Sequence, residues 1–149
     1  MALVFIGLGT NLGRKKKNLS NAVKSLKSGY NINIQKKSSI KKTAPVDYID
    51  QPEFLNQVVL ARTEHTPEEL LAILQEIEAK LGRTPSAPKG PRIIDLDILL
   101  FDNLILNTKI LKIPHPEIKN RKFILEHLVE LDPDIIDPLS GQKYIEFLK

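Results

Sequence analysis

Two strand-like segments, residues 32–42 and 53–63, follow one another with only "TAPVDYIDQP" between them. "INIQKKSSIKK" is a long, partly polar strand candidate, and "EFLNQVVLART" alternates well enough to be a second. The joining stretch holds two prolines and no periodicity, so it reads as a loop. Adjacent strands with no helix between them argue against a purely alternating α/β fold. The flanking elements narrow the choice. "ALVFIGLG" reads as a buried strand, and "NLGRKKKNLSNAVKSL" sets Leu19, Ala22, Val23 and Leu26 at helical spacing. Beyond the second strand, Thr66 as N-cap, Pro67 at N1 and Glu69 at N3 spell a capping box. Leu70, Leu71, Leu74, Ile77 and Leu81 form that helix's apolar stripe, and Gly82 fits its C′ position. "PRIIDLDILLF" (91–101) is the next strand, 103–113 a short hairpin or edge addition, and 117–131 a last helix stopped by Asp132-Pro133. The order predicts an α+β fold with a ferredoxin-like βαββαβ core: an antiparallel sheet against helices on one face, plus C-terminal additions. No linker or repeat divides residues 1–149, so a single domain is expected.

Composition excludes several classes. The chain has no cysteine, so neither disulfides nor a zinc–thiolate site is available. No apolar run reaches the roughly 18–20 residues a membrane helix needs. "MALVFIGLG" has no basic segment before it and runs straight into glycines, the wrong order for a signal peptide; a cytosolic protein is expected. The net charge of +4 favours anionic partners. Yet 17 of the 22 basic residues are lysine, many in runs such as "RKKK" that read as solvated faces. The five arginines, at 14, 62, 83, 92 and 121, suit phosphate contacts better.

Four motifs carry possible chemistry. "GLGTNLG" (7–13) lies between a strand and a helix, but its spacing is G-x-G-x-x-x-G and no acid follows at the distance a dinucleotide ribose needs. A tight strand-to-helix turn that needs glycine is the better reading. Asp95 and Asp97, two apart on a strand, point to one face, leaving Ile94, Leu96, Ile98 and Leu100 to fill the opposite core face. Two adjacent carboxylates repel, and a divalent cation relieves that repulsion; Mg²⁺ takes one or two carboxylates plus substrate phosphates. The bland alternative is a pair of exposed edge acids. Arg83, Arg92, His115 and Arg121 surround the pair in sequence, which makes a phosphate site plausible. Phe54 and Asn56 share a strand face, where a ring and an amide can stack on a heterocycle and read its edge.

Taken together, "IGLGTNLG", "DQPEFLNQVV", "GPRIIDLDILLF" and "IPHPEIKNRKFIL" closely resemble the 6-hydroxymethyl-7,8-dihydropterin pyrophosphokinases of folate biosynthesis. The G-P-R and D-L-D-I signature is complete at 90–92 and 95–98, and the likeness covers about residues 3–148. The resemblance implies the ferredoxin-like fold and the transfer of diphosphate from ATP to the pterin hydroxymethyl group, with AMP released. It implies that Asp95 and Asp97 hold two Mg²⁺ ions, and that Phe54 and Phe123 sandwich the pterin. Asn56, with main-chain groups near Thr43 and Val46, would read the pterin edge. Gln75, Glu78, Arg92, Ile98, His115 and Arg121 match ATP-side positions, with Ile98 an apolar contact, and Arg83 and Arg92 match catalytic arginines. The partners implied are small molecules, with no nucleic acid or membrane, and a monomer is expected. An RNA-binding reading would need exposed sheet aromatics, but the chain has eight aromatics in all and none in such a cluster. A catalytically silent pterin binder is a third reading, and the intact aspartates argue against it.

Several positions depart from the family's common pattern. Lys89 stands where tryptophan is frequent before the G-P-R, and Thr84, Pro85 and Ser86 follow Arg83 without a second arginine. Phe54 replaces a tyrosine, and Pro116 follows the histidine where tyrosine is common. The loop departures predict slower or differently gated turnover, because lid residues commonly set closure and release. Single-turnover kinetics on Lys89→Trp should show a changed chemical or release rate; identical rates would remove the loop from the account.

Overall fold

The first apolar run is hydrogen-bonded on both edges and forms the middle of the sheet. In the computed structural model, which describes residues 1–45, 50–82 and 92–148, the chain order is β1 (Ala2–Thr10), α1 (Lys15–Lys27), β2 (Ile32–Lys37), β3 (Lys41–Thr43), β4 (Phe54–Thr63) and α2 (Pro67–Lys80). Then come β5 (Asp95–Phe101), β6 (Leu106–Asn107), β7 (Lys112–Ile113), α3 (Lys122–Leu131) and a 3-10 turn at Tyr144–Phe147. The main sheet runs β2-β4-β1-β5, with β3 also paired to β4, and its pairings are antiparallel. This is the ferredoxin-like core that the element order predicts. Among the described residues no helix is long and apolar enough to cross a membrane.

Local signals act as written. Thr66 Oγ1 accepts from Glu69 N at 3.1 Å while Glu69 Oε1 accepts from Thr66 N at 2.8 Å, closing the capping box of α2. Gly82 follows with φ of 95°, a left-handed conformation that glycine adopts without cost. The long strand expected over 32–42 is instead two. Ser38 lies in the break, and its hydroxyl accepts from Val58 N while its carbonyl accepts from Gln57 Nε2, both at 2.9 Å. The last helix begins at Lys122 rather than at 117, because residues 117–121 close a separate turn, Arg121 N to Glu117 O, before Arg121 itself returns to extended backbone.

The sheet is covered on both faces, not one. Val4, Ile6, Leu8, Val59, Ala61, Leu96 and Ile98 pack against α1 and α2 in a first core. Phe5, Val58, Leu60, Leu99 and Leu100 pack with Ile124, Leu125 and Leu128 of α3 in a second. A bulge decides which side chain goes where. Phe5 pairs with Leu100 but Ile6 pairs with Ile98, so Leu99 is the extra residue. A bulge reverses the alternation of everything after it. Leu100 therefore does not fill the face of Ile94, Leu96 and Ile98, as strict alternation predicts; it joins Leu99 on the second face, and Phe101 returns to the first.

The C-terminal segment supports the turn that precedes α3. Asp137 is buried; its carboxylate takes Lys119 Nζ at 2.7 Å, Ser140 Oγ at 2.7 Å and Tyr144 Oη at 3.1 Å. Burial opposes the charge, but these donors outweigh it and hold the Asp137 carboxyl at about 2, against an ordinary 3.8. Burial, with Asp137 alongside, raises the Tyr144 phenol, which stays a donor. A depressed folded-state value means stability present above the unfolded value and lost as pH falls toward the folded one. Asp137→Asn should therefore cost about 2 kcal/mol at neutral pH, and the difference from the parent should shrink between pH 3.8 and about 2. Urea titrations across that range read both numbers; equal midpoints at pH 7 would show that the network contributes nothing.

Candidate active site

Antiparallel pairing sets a glycine beside each acid. Gly9 is the register partner of Asp95 and Gly7 of Asp97, and across β1 the same two glycines face Asn56 and Val58. Register partners share a face, so the row Asp95, Gly9, Asn56 crosses three strands with no side chain in the middle. Phe54, two residues before Asn56, lies on this face too. A Cβ built on Gly9 would lie 3.4 Å from Asn56 Oδ1 and 3.9 Å from the Phe54 ring, ordinary contact distances. The protein could thus accommodate a methyl group there; what glycine leaves is open floor. The turn into α1 needs glycine only at Gly13, where φ is 69°. "GLG" is therefore not a turn motif, as its sequence suggests, but the bottom of a cleft.

The cleft lies between this floor and the start of α3. Its walls include Thr43, Phe54, Asn56, Arg92, Asp95, Asp97, Arg121 and Phe123. Asn56 donates through Nδ2 to Thr43 Oγ1 at 2.6 Å. That bond turns the amide oxygen toward Gly9, where an acceptor faces the cleft. At the other end Arg92 Nη1 lies 3.2 Å from Asp95 Oδ2, and the guanidinium stands 6.0 Å from the centre of the Phe54 ring. One arginine thus spans from the acids to the aromatic wall.

Asn11, fully buried, fixes that arginine. Its Oδ1 accepts from Arg92 N at 2.8 Å and its own N–H donates to Arg92 O at 3.1 Å. Its Nδ2 donates to Gln51 Oε1 at 2.7 Å and to Pro52 O at 3.1 Å. One side chain therefore joins the end of β1, the segment before β4 and the segment before β5. Nothing in "GTNLG" by itself announces partners in two distant segments.

Other expected site residues stand apart from the cleft wall. His115 Nδ1 accepts from Glu117 N at 3.1 Å, which places the neutral ring's proton on Nε2. Burial, aided by Arg121 and opposed by Glu117 and Asp95, pushes the ring below its usual range, so it is neutral at pH 7. Gln75 is exposed on α2, which packs on the first face. Glu78 is buried, and its Oε2 accepts from Leu96 N at 2.8 Å. The Ile98 side chain is buried in the first core, so an apolar side-chain contact to a ligand is not open to it. Val46, Arg83 and the loop around Lys89 lie outside the described residues.

The acid pair suits a hard dication. Asp95 and Asp97 lie side by side, and among the described residues no third His, Cys, Asp or Glu gathers with them into a cage. Mg²⁺ is commonly held in this way, by one or two carboxylates with water and phosphate completing its shell.

Comparison with known proteins identifies the family. Residues 5–133 match the model of the 7,8-dihydro-6-hydroxymethylpterin-pyrophosphokinase family. The chain is 35% identical over 147 residues to the 2-amino-4-hydroxy-6-hydroxymethyldihydropteridine pyrophosphokinase of Aquifex aeolicus, covering 99% of this chain and 91% of that one. It is 43% identical over 129 residues to the Bacillus subtilis enzyme of the same name, covering 87% and 77%. The folic acid synthesis protein fol1 of Pneumocystis carinii is 40% identical over 138 residues, 93% of this chain but only 18% of that much longer protein. A crystal structure of HPPK-DHPS in complex with substrates shares the fold, with a TM-score of 0.78 at 16% identity over 99% of this chain and 42% of that one. With the family model spanning most of its length, and the acids, arginines and aromatics of the signature gathered on one cleft, the chain belongs to the 7,8-dihydro-6-hydroxymethylpterin-pyrophosphokinase family.

Proposed function

We propose that the chain transfers the terminal diphosphate of ATP, as one unit, to the hydroxymethyl oxygen of 6-hydroxymethyl-7,8-dihydropterin, with attack at the β-phosphorus and AMP leaving. One observation carries this reading: an acid pair and a stacking site with an acceptor occupy the two ends of one floor, separated by side-chain-free glycines. That spacing suits a heterocycle at one end and a polyphosphate at the other, with their reactive atoms meeting over Gly7 and Gly9.

At the pterin end, Phe54 and Phe123 would bracket the ring plane, and Asn56 Oδ1 would accept from a ring N–H or amino group. Thr43, receiving from Asn56, keeps its own hydroxyl proton to donate. At the phosphate end, Arg92 and Arg121 supply positive charge where negative charge concentrates. The neutral His115 would offer Nε2–H as a donor that adds no charge of its own. Mg²⁺ held by Asp95 and Asp97, two ions on the family resemblance, would screen the triphosphate and acidify the hydroxyl. Phosphoryl transfer rests mostly on positioning and electrostatics, which these residues provide. Gln75 remains an ATP-side candidate. Glu78 acts indirectly, by holding the strand that carries the acids. Ile98 would contribute main-chain groups rather than its side chain.

Incubation with ATP, Mg²⁺ and the hydroxymethyl dihydropterin should yield AMP in amounts that depend on both pterin and metal; its absence would reject the reading. Asp97→Asn should slow the reaction by roughly two orders of magnitude or more. A variant that turns over like the parent would remove Asp97 from the metal role.

The glycine floor gives a separate test. Gly9→Ala should fold at least as stably, because its methyl meets only ordinary contacts and alanine loses less backbone entropy in a strand. Pterin binding should nonetheless weaken by about tenfold, as one methyl occupies the ligand's space. Titration calorimetry beside thermal melting reads the two effects; undiminished affinity would show that the floor does not touch the ligand.

A further inference from the structure

The charges of this chain are divided along its length. Residues 1–46 hold nine lysines, one arginine and no acid; the first carboxylate is that of Asp47. The other 12 of the 22 basic residues share the rest of the chain with all 18 acids. An asymmetry of this size points to an anionic partner. In the fold the ten cations lie on α1, its N-cap and the strands β2 and β3. Among the described residues only Lys41 of the ten has a carboxylate within ion-pair distance, that of Glu126 at 3.8 Å.

Part of this charge meets at the mouth of the cleft. Lys41, Lys42 and Lys122 line an open groove with Thr43, Ala44 and Phe123, and those last three also line the cleft. The groove is therefore the cleft's outward continuation. On another flank, β1 leads from Gly9 on the floor to Arg14 and Lys15–Lys17 at the start of α1. Lys15 Nζ donates to Glu53 O at 2.8 Å, one residue from Phe54 of the wall. Lys16, Lys17, Lys42 and Lys122 are exposed. Asp50 and Glu53, also exposed, oppose this field. Glu117 and Glu126 are matched by Arg121 and Lys41, each at 3.8 Å. Lys24 and Lys27 stand farther along α1 than Lys16, by roughly 12 and 17 Å. That exceeds the screening length of about 8 Å at physiological salt.

We propose that the lysines at the mouth steer the nucleotide: they draw its polyphosphate from solution to the cleft, and Arg92, Arg121 and the acid pair then hold it. The inference rests on the ATP-dependent reading above and adds how the nucleotide reaches that site. A cleft rimmed by one sign of charge raises the local concentration of an oppositely charged ligand and speeds its arrival. Charges on a rim act on the association rate and its salt dependence rather than on the bound complex. Lysine suits this duty. Its ammonium is a hydrated point charge on a flexible stem, whereas the arginine fork is built for direct contact with phosphate. The division of the two residue types follows: arginines line the cleft and lysines surround its entrance. The other substrate, an uncharged pterin, gains nothing from such a field.

Stopped-flow association of ribose-labelled ATP with Mg²⁺ tests this, with 6-hydroxymethylpterin as the uncharged probe. One variant combines Lys16→Glu with Lys42→Glu at the mouth. A second combines Lys24→Glu with Lys27→Glu and changes the net charge equally. At physiological salt the mouth variant should bind labelled ATP about threefold more slowly than the parent, with kcat and the pterin association rate unchanged. The distant variant should keep the parent's rate. The mouth effect should vanish near 1 M salt, where screening acts within about 3 Å. A mouth variant that associates like the parent overturns the proposal. Equal slowing in both variants also overturns it, because net charge rather than the mouth would then set the rate. Should the variants fold poorly, the parent alone decides: its ATP association rate should fall as salt rises while its pterin rate holds, and a salt-independent ATP rate overturns steering. A parent that fails to bind labelled ATP at all would reject the ATP reading itself. Binding that ignores these charges rejects steering alone.

Discussion

The register of β1 against β5 is the constraint from which the site follows. Shifting that pairing by one residue would move both acids to the face packed by α1 and α2. It would also replace the glycines beside them with Leu8 and Thr10 or Ile6 and Leu8. Two features hold the register. At one end Asn11 grips both main-chain groups of Arg92. At the other the Leu99 bulge admits one extra residue, so that Leu99 and Leu100 both enter the second core. Between these points lie Asp95 and Asp97, and strand pairing rather than loop geometry sets their separation.

Placing the cleft on the second face divides the protein's tasks. The first face, with α1 and α2, is apolar throughout its centre and contributes mainly stability. The second face is apolar only at one end, where Leu125, Leu128 and Leu131 of α3 pack with Tyr144. Its other end is given to the glycines, acids and amide. There α3 contributes Phe123 and His127 to the wall, and the Lys119–Asp137 pair ties the turn before the helix to the C-terminal segment. The cleft therefore depends on a helix anchored from behind by residues far from any substrate.

Much of this was legible in the sequence, for reasons that differ by residue. The helix at 67–80 is written in neighbours: Thr66, Pro67 and Glu69 lie within four positions, and their bonds form regardless of what surrounds them. Adjacent β2 and β4 follow from the absence of a helix between them. Asp95, Asp97, Phe54 and Asn56 stood out because polar or aromatic residues interrupted apolar runs. What could not be read depends on partners distant along the chain. The purpose of Gly7 and Gly9 appears only once they lie opposite Asp97 and Asp95, nearly ninety residues on. Leu100 changes face because of a bulge that no local periodicity signals. Glu78, grouped with ATP contacts by resemblance, proves to be committed to the main chain of β5.

That commitment bears on how the molecule behaves among copies of itself. β5 is the last strand of its sheet, and an open strand edge is a template on which another chain can add. Here the outward N–H of Leu96 is taken by Glu78, and the C=O of Leu99 by the N–H of His115 at 2.9 Å. The bulge at Leu99 breaks the even ladder that an incoming strand would need. The strand that carries the two acids thereby has part of its open border occupied from within the chain. It carries neither lysine nor proline between Asp95 and Phe101, and the contacts that aim its side chains cover part of that border instead.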